Sequence, residues 1–242
     1  MKKLMAWMAT VALLVGVNLS LQAADLPRGD LLELHSCQLY IGGCIASSEA
    51  TQEGKCMLRV WNFTGGAQQD VNLTGLQVAL LEIGNQNLAT KNAAPTRAVI
   101  YLPTAATHAQ SMALVEWLRS CVSPADLAGA ATRVVSMSFH RSLSGVTFVA
   151  GDAAQIDLVP FEPCGLVSCG ESLWYTPRST VSTYTVGVTR ASVVHEPLLA
   201  LKWIDHGKNN VFVGRFGEGA TAQATFTPPS LACATTDHIL HE

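Results

Sequence analysis

Apolar and polar positions along the chain follow a period of two more often than one of 3.6. Cys56-Met-Leu58-Arg-Val60-Trp-Asn-Phe63 alternates and stops at Gly65-Gly66; Val71-Asn-Leu73-Thr-Gly75-Leu-Gln-Val78-Ala-Leu80-Leu81 resumes beyond the turn. Two strands joined by a Gly-rich reversal are expected there. The same pattern predicts further strands at Arg97–Leu102, Arg133–Phe139, Val146–Ala150, Gln155–Phe161, Thr180–Val188, Leu198–Ile204, Val211–Phe216 and Ala220–Phe226. Asp205-His-Gly-Lys-Asn-Asn210 reads as a turn, since Gly and Asn tolerate the left-handed backbone.

One segment breaks this rule. Leu114, Trp117, Leu118 and Cys121 recur at i, i+3, i+4 and i+7, and Thr104 or Thr107 is placed to cap the turn before them. A principal helix near residues 105–120 is expected, with its stripe on a core and Cys121 buried as a small hydrophobe. The fold class is therefore β-rich α+β, with antiparallel sheet layers in a sandwich-like arrangement covered by one helix. A subdivision near residues 142–177 is conceivable from Pro160, Pro163, Gly165, Gly170 and Pro177, but the stretch reads better as a long ordered loop in a single domain over residues 24–242.

The N-terminus changes the picture. Lys2 and Lys3 precede an apolar run from Leu4 to Val17, followed by Leu21, Ala23 and Ala24. This is the pattern of a secretory signal peptide, residues 1–23, with cleavage near Ala23, and it predicts a periplasmic or secreted protein. Its loss makes a chain of 15 Lys+Arg against 18 Asp+Glu more acidic still. No later run is long enough for a transmembrane helix in the mature chain. With 14% charged residues and no basic patch, nucleic acid is not an expected partner. The sequons at Asn62 and Asn72 matter only in a eukaryotic secretory route.

An exported chain gives its seven cysteines meaning: Cys37, Cys44, Cys56, Cys121, Cys164, Cys169 and Cys233. In an oxidising compartment such density reads first as disulfides, whose pairing the spacings alone do not fix. Cys164-Gly-Leu-Val-Ser-Cys169 is able to close on itself, and Gly42-Gly43 lets Cys37 and Cys44 approach. The sharper reading is metal: His35, Cys37, Cys44 and Cys56 offer one imidazole and three thiolates within a short span, a soft set suited to Cu or Zn. Cys233, His238 and His241 form a second soft group, read equally as a solvated C-terminal tail.

Glu33-Leu-His35-Ser-Cys37, Cys44, Cys56, the stretch Val71–Ala79 and Gln110-Ser-Met-Ala-Leu114 resemble, in that order, the motifs of a widespread bacterial family, domain of unknown function 1326. The resemblance runs from about Gly29 to Ser120. It implies shared fold and ancestry rather than an activity. His35 stands where that family often has a cysteine, an exchange of soft ligands that suits a metal site. Cys44 lacks the family's Cys-Pro-Cys setting, and Cys121-Val122-Ser123 replaces the glycines after its helix.

Enzyme signatures are sparse: no G-x-S-x-G elbow, H-E-x-x-H or P-loop occurs. His195-Glu196 and Asp205-His206 are adjacent pairs that a strand sends to opposite faces, so neither converges on a proton transfer. Three functions stay open: an exported binding protein for a thiophilic metal or another periplasmic protein, a disulfide-stapled interaction module without metal, and a thiol-dependent enzyme.

Overall fold

The computed structural model describes residues 25–42, 54–90, 92–160, 171–173, 175–217 and 225–226. In chain order they form β1 (Arg28–His35), β2 (Tyr40–Gly42), β3 (Cys56–Gly65), β4 (Ala67–Gln68), β5 (Val71–Asn72), β6 (Gln77–Gly84), β7 (Pro95–Pro103) and α1 (His108–Cys121). There follow β8 (Ala131–Val135), β9 (Met137–Ser142), β10 (Gly145–Ala150), β11 (Ala154–Pro160), β12 (Glu171–Leu173), β13 (Thr183–Glu196), β14 (Leu201–Asp205), β15 (Lys208–Phe216) and β16 (Thr225–Phe226). The β-rich α+β class is thus what the chain adopts.

The layers belong to one sheet. Its strands run β8-β7-β6-β3-β1-β15-β13-β11-β10-β9, and every pair along this path is antiparallel except β7–β8. β8 and β9 are separated by Ser136 alone, so one continuous stretch forms both ends of the path and the sheet curls into a near barrel. The closing pair is parallel, which requires a crossover rather than a hairpin; α1 is that crossover between β7 and β8.

Alternation along each strand divides the apolar residues into two sets. Leu32 and Leu34 of β1, Val60 of β3, Leu81 of β6 and Phe148 of β10 point inward and share one cluster, although β10 and β3 lie far apart along the sheet path. That contact exists only because the sheet curls. The interior is filled by side chains. The outward set, including Leu31, Trp61, Phe63 and Phe216, is covered by α1 through Ala113, Leu114, Trp117 and Leu118. Trp117 sits 4.8 Å from Phe63 and 5.7 Å from Trp61, ring centroid to centroid, at steep angles. The helix starts as expected at Thr107, whose hydroxyl accepts from the Gln110 N–H while the Gln110 side chain accepts from the Thr107 N–H.

Cys121 departs from the expectation: it is exposed. The chain leaves the helix in extended conformation at Val122, and it is Val122, 7% exposed, that tucks beneath. The stripe therefore ends at Leu118. Cys121 is expected to be labelled by a maleimide in the native protein, though more slowly than a free thiol because partial burial pushes its pKa upward, and Cys121→Ser to change stability by no more than about 0.5 kcal/mol in urea denaturation.

Candidate functional site

β1 is central and buried on both faces, which places polar residues where solvent does not reach. Glu33 and His35 alternate with Leu32 and Leu34, so they face outward, where the amides of Arg178 and Ser179 reach Glu33 and the Phe212 ring lies against His35. Both are 0% exposed. A buried carboxylate is tolerated only with a full set of donors, and Glu33 has three: the Arg178 N–H at 2.8 Å, the Ser179 N–H at 2.8 Å and His35 Nε2 at 2.9 Å. Burial alone would raise its pKa, but the His35 hydrogen bond and charge, Arg59 and the Arg178 N–H outweigh it and hold the carboxyl near 2 instead of 4.5.

An ionised Glu33 makes Nε2 the donor and orients the imidazole. The ring lies edge-on to Phe212 at 5.8 Å, and Nδ1 is buried with no hydrogen-bond partner. Because the folded-state pKa of Glu33 is depressed, its stabilisation is complete above pH 4.5 and is lost as pH falls toward 2. Glu33→Gln is expected to cost about 3 kcal/mol at neutral pH and to flatten that acid limb, read by denaturation at a series of pH values.

Near the end of β1, Cys37 packs in the outward cluster and Cys56 against the inward one, so the sheet separates them. Cys37 is 0% exposed, its Sγ 3.8 Å from Asn87 Nδ2, and Asn87 in turn donates to the Tyr175 hydroxyl at 3.1 Å. Cys56 opens β3 and is partly buried. Its N–H donates to Ser36 Oγ at 3.0 Å while the Ser36 N–H donates to its carbonyl at 3.0 Å, which fixes it beside the His35–Cys37 stretch. Burial pushes the Cys56 thiol pKa upward. Cys44, Cys164, Cys169, Cys233, His238 and His241 lie outside the described residues. Among the described residues no three His, Cys, Asp or Glu side chains are grouped so as to hold a metal ion.

Next to Glu33 lies a network that sequence reasoning missed. Arg59, 1% exposed, donates to Glu82 through Nε at 2.8 Å and Nη2 at 2.9 Å, and to Asp126 at 2.9 Å. Asp126 is also held by Arg178 at 2.8 Å, and Arg178 Nη1 reaches the carbonyls of Ala93 at 2.8 Å and Leu88 at 3.3 Å. Burial lifts the Glu82 carboxyl above the ordinary carboxylate range despite Arg59. The available signal was a charged residue inside an otherwise apolar strand, at Arg59 and Glu82; their partner Asp126 is too remote in sequence to be inferred.

Inside the curled sheet a second group forms. Glu196 is 0% exposed and accepts from the Tyr101 hydroxyl at 2.5 Å, Arg133 at 2.8 Å and the Leu198 N–H at 2.9 Å. Burial and this carboxylate drive the Tyr101 pKa upward. His195 is exposed on the opposite face, so the adjacent pair diverges as a strand requires. Asp205 and His206 divide in the same way: Asp205 is buried against Trp203 Nε1 at 2.6 Å and Asn210 Nδ2 at 3.0 Å, and His206 is exposed.

No family model matches the chain, and neither a curated protein nor a solved structure does.

Proposed function

We propose that this is an exported binding protein whose ligand is a thiophilic metal ion, Cu(I) or Zn(II), taken by His35 with the thiolates of Cys37, Cys44 and Cys56. The observation that carries the reading is the buried, unpartnered Nδ1 of His35 on a ring oriented through Nε2 by Glu33. A carboxylate on the far nitrogen of an imidazole is the usual outer-shell support of a histidine ligand: it fixes the tautomer and raises basicity. Export, argued from Lys2, Lys3, the apolar run and Ala23, places the site in the periplasm.

Reduced protein is expected to take up Cu(I) or Zn(II) with release of protons, because thiolates bind only after losing theirs, and uptake should weaken as pH falls. His35→Ala combined with Cys37→Ser should abolish it. A double variant that loses stability while its ion content stays unchanged would refute the site.

One observation favours a second reading, the disulfide-stapled module. β2 pairs with β12 in a separate two-stranded sheet, Gly42 opposite Glu171. Cys44 stands two residues past Gly42 and Cys169 two before Glu171, so chain length alone keeps a Cys44–Cys169 bridge within reach.

A further inference from the structure

We infer that Asn72 is an acceptor for N-linked glycosylation by a periplasmic oligosaccharyltransferase, which reads Asp70 before it and Thr74 after it. Two tripeptides of the chain have the acceptor pattern, Asn62-Phe-Thr64 and Asn72-Leu-Thr74. The tripeptide alone speaks for a eukaryotic secretory route. Only the second has an acidic residue two positions earlier, Asp70, where the first has Val60. Bacterial oligosaccharyltransferases select that longer form. They also act on chains that have already folded, so the acceptor has to be reachable in the finished structure.

The fold separates the two candidates. Asn62 is half-buried in β3, where its Nδ2 donates to Asp30 at 3.4 Å and its Oδ1 accepts from Gln77 Nε2 at 2.9 Å. The Thr64 hydroxyl donates to the Arg28 carbonyl at 3.5 Å, so both ends of that tripeptide are engaged. Asp70, Asn72 and Thr74 are all exposed. β4 and β5 form a small hairpin apart from the large sheet, with Gln68 opposite Val71 and left-handed φ of 47° and 64° at the turn residues Gln69 and Asp70. A ladder this short loosens at little cost. Gln110 Nε2 holds the Asn72 carbonyl at 3.0 Å, which fixes the main chain and leaves the side chain in solvent. Asn72 Oδ1 accepts from the Thr74 N–H at 2.9 Å, a local turn that draws the carboxamide toward residue 74. Among the described residues, neither Asn72 Nδ2 nor the Thr74 hydroxyl bonds a protein group, so both are open to an enzyme.

In the transfer, Asn72 Nδ2 attacks the anomeric carbon of a glycan carried on a lipid diphosphate. The N–C bond forms as the C–O bond to the diphosphate breaks. One amide proton is released, the lipid diphosphate leaves, and nothing is oxidised or reduced.

The site rests on export and is independent of the metal. The test expresses the full chain in a bacterial host that carries such a transferase and its lipid-diphosphate-linked oligosaccharide, with peptide mapping of the periplasmic protein. A single glycan on Asn72, in chains that begin at Ala24, is expected. Asn72→Gln and Thr74→Val should each abolish it and Thr74→Ser should keep it. Asp70→Asn should lower occupancy about 10-fold, the worth of one contact to a charged group. Chains that begin at Ala24 and carry no glycan would overturn the site while export stood. A glycan on Asn62 would overturn the selection made by the fold, and equal occupancy in Asp70→Asn would overturn the role of Asp70. Unglycosylated chains that keep residues 1–23 would overturn export and the site with it.

Discussion

Arg59→Ala is expected to destabilise the protein by about 3–5 kcal/mol, the cost of leaving buried carboxylates without their cation. Arg59 is the shared donor of Glu82 and Asp126, and its guanidinium carbon also lies 5.6 Å from the Trp61 ring centroid, so charge and packing are lost together. The sign of the pH dependence follows from Glu82. Its folded-state pKa is already raised by burial, and removing Arg59 raises it further. A carboxyl with a raised folded-state pKa stabilises at low pH, where it holds its proton, and loses that contribution as pH rises through the folded value. The deficit of Arg59→Ala should therefore be smallest in mild acid and largest in mild alkali. Urea denaturation at both ends checks this; an equal deficit at the two would mean that lost packing, not uncompensated charge, dominates.

Trp117→Ala should cost about 3–5 kcal/mol for a different reason. Trp117 is the large residue of the α1 stripe and is 6% exposed among Trp61, Phe63 and Phe216, with Phe216 at 5.2 Å. Truncation leaves a cavity that aromatic neighbours on two strands of a hydrogen-bonded sheet, β3 and β15, are poorly able to close. Because α1 is the crossover that sets β8 parallel to β7, loosening it also strains the closure of the sheet. Loss of the near-ultraviolet circular dichroism of the tryptophans, with far-ultraviolet strand signal retained, is the expected accompaniment. A loss below about 1 kcal/mol would show that the helix is a dispensable cover.

Strands with one dry and one wet face were legible in the sequence, and β3 was legible too although both its faces are largely buried. β10 and β11 alternate, and their expected spans lie within a residue of the observed ones. α1 carries both a stripe and a cap, so its place was readable, but extending the stripe to Cys121 ignored where the covered surface ends. β1 escaped notice because it is buried on both sides, and a strand with two dry faces shows no alternation. Leu198–Ile204, expected as one strand, is a 3-10 turn over Pro197–Leu199 followed by β14; Pro197 cannot donate to a ladder, and Ala200 adopts a left-handed φ of 53°. β13 runs on to Glu196 rather than stopping near Val188, since its far half pairs with β11 and β14 together.

The candidate site was half legible. His35 and Cys37 share a strand parity and could be grouped on that ground, and Glu33 has the same parity, which is how it comes to hold the imidazole. Arg178 and Ser179 could not be anticipated, because their amides reach Glu33 across more than half the chain. Nothing in local periodicity encodes such a contact. The register of β2 with β12 is likewise non-local.

Metal analysis of protein taken directly from the periplasm, beside a non-reducing peptide map of the same sample, tests the central claim most directly. A thiophilic metal ion present in about one equivalent, with Cys37, Cys44 and Cys56 recovered as thiols once it is chelated, is the predicted result. Metal-free protein with Cys37 or Cys44 already in a fully formed disulfide would contradict it and leave only the stapled module.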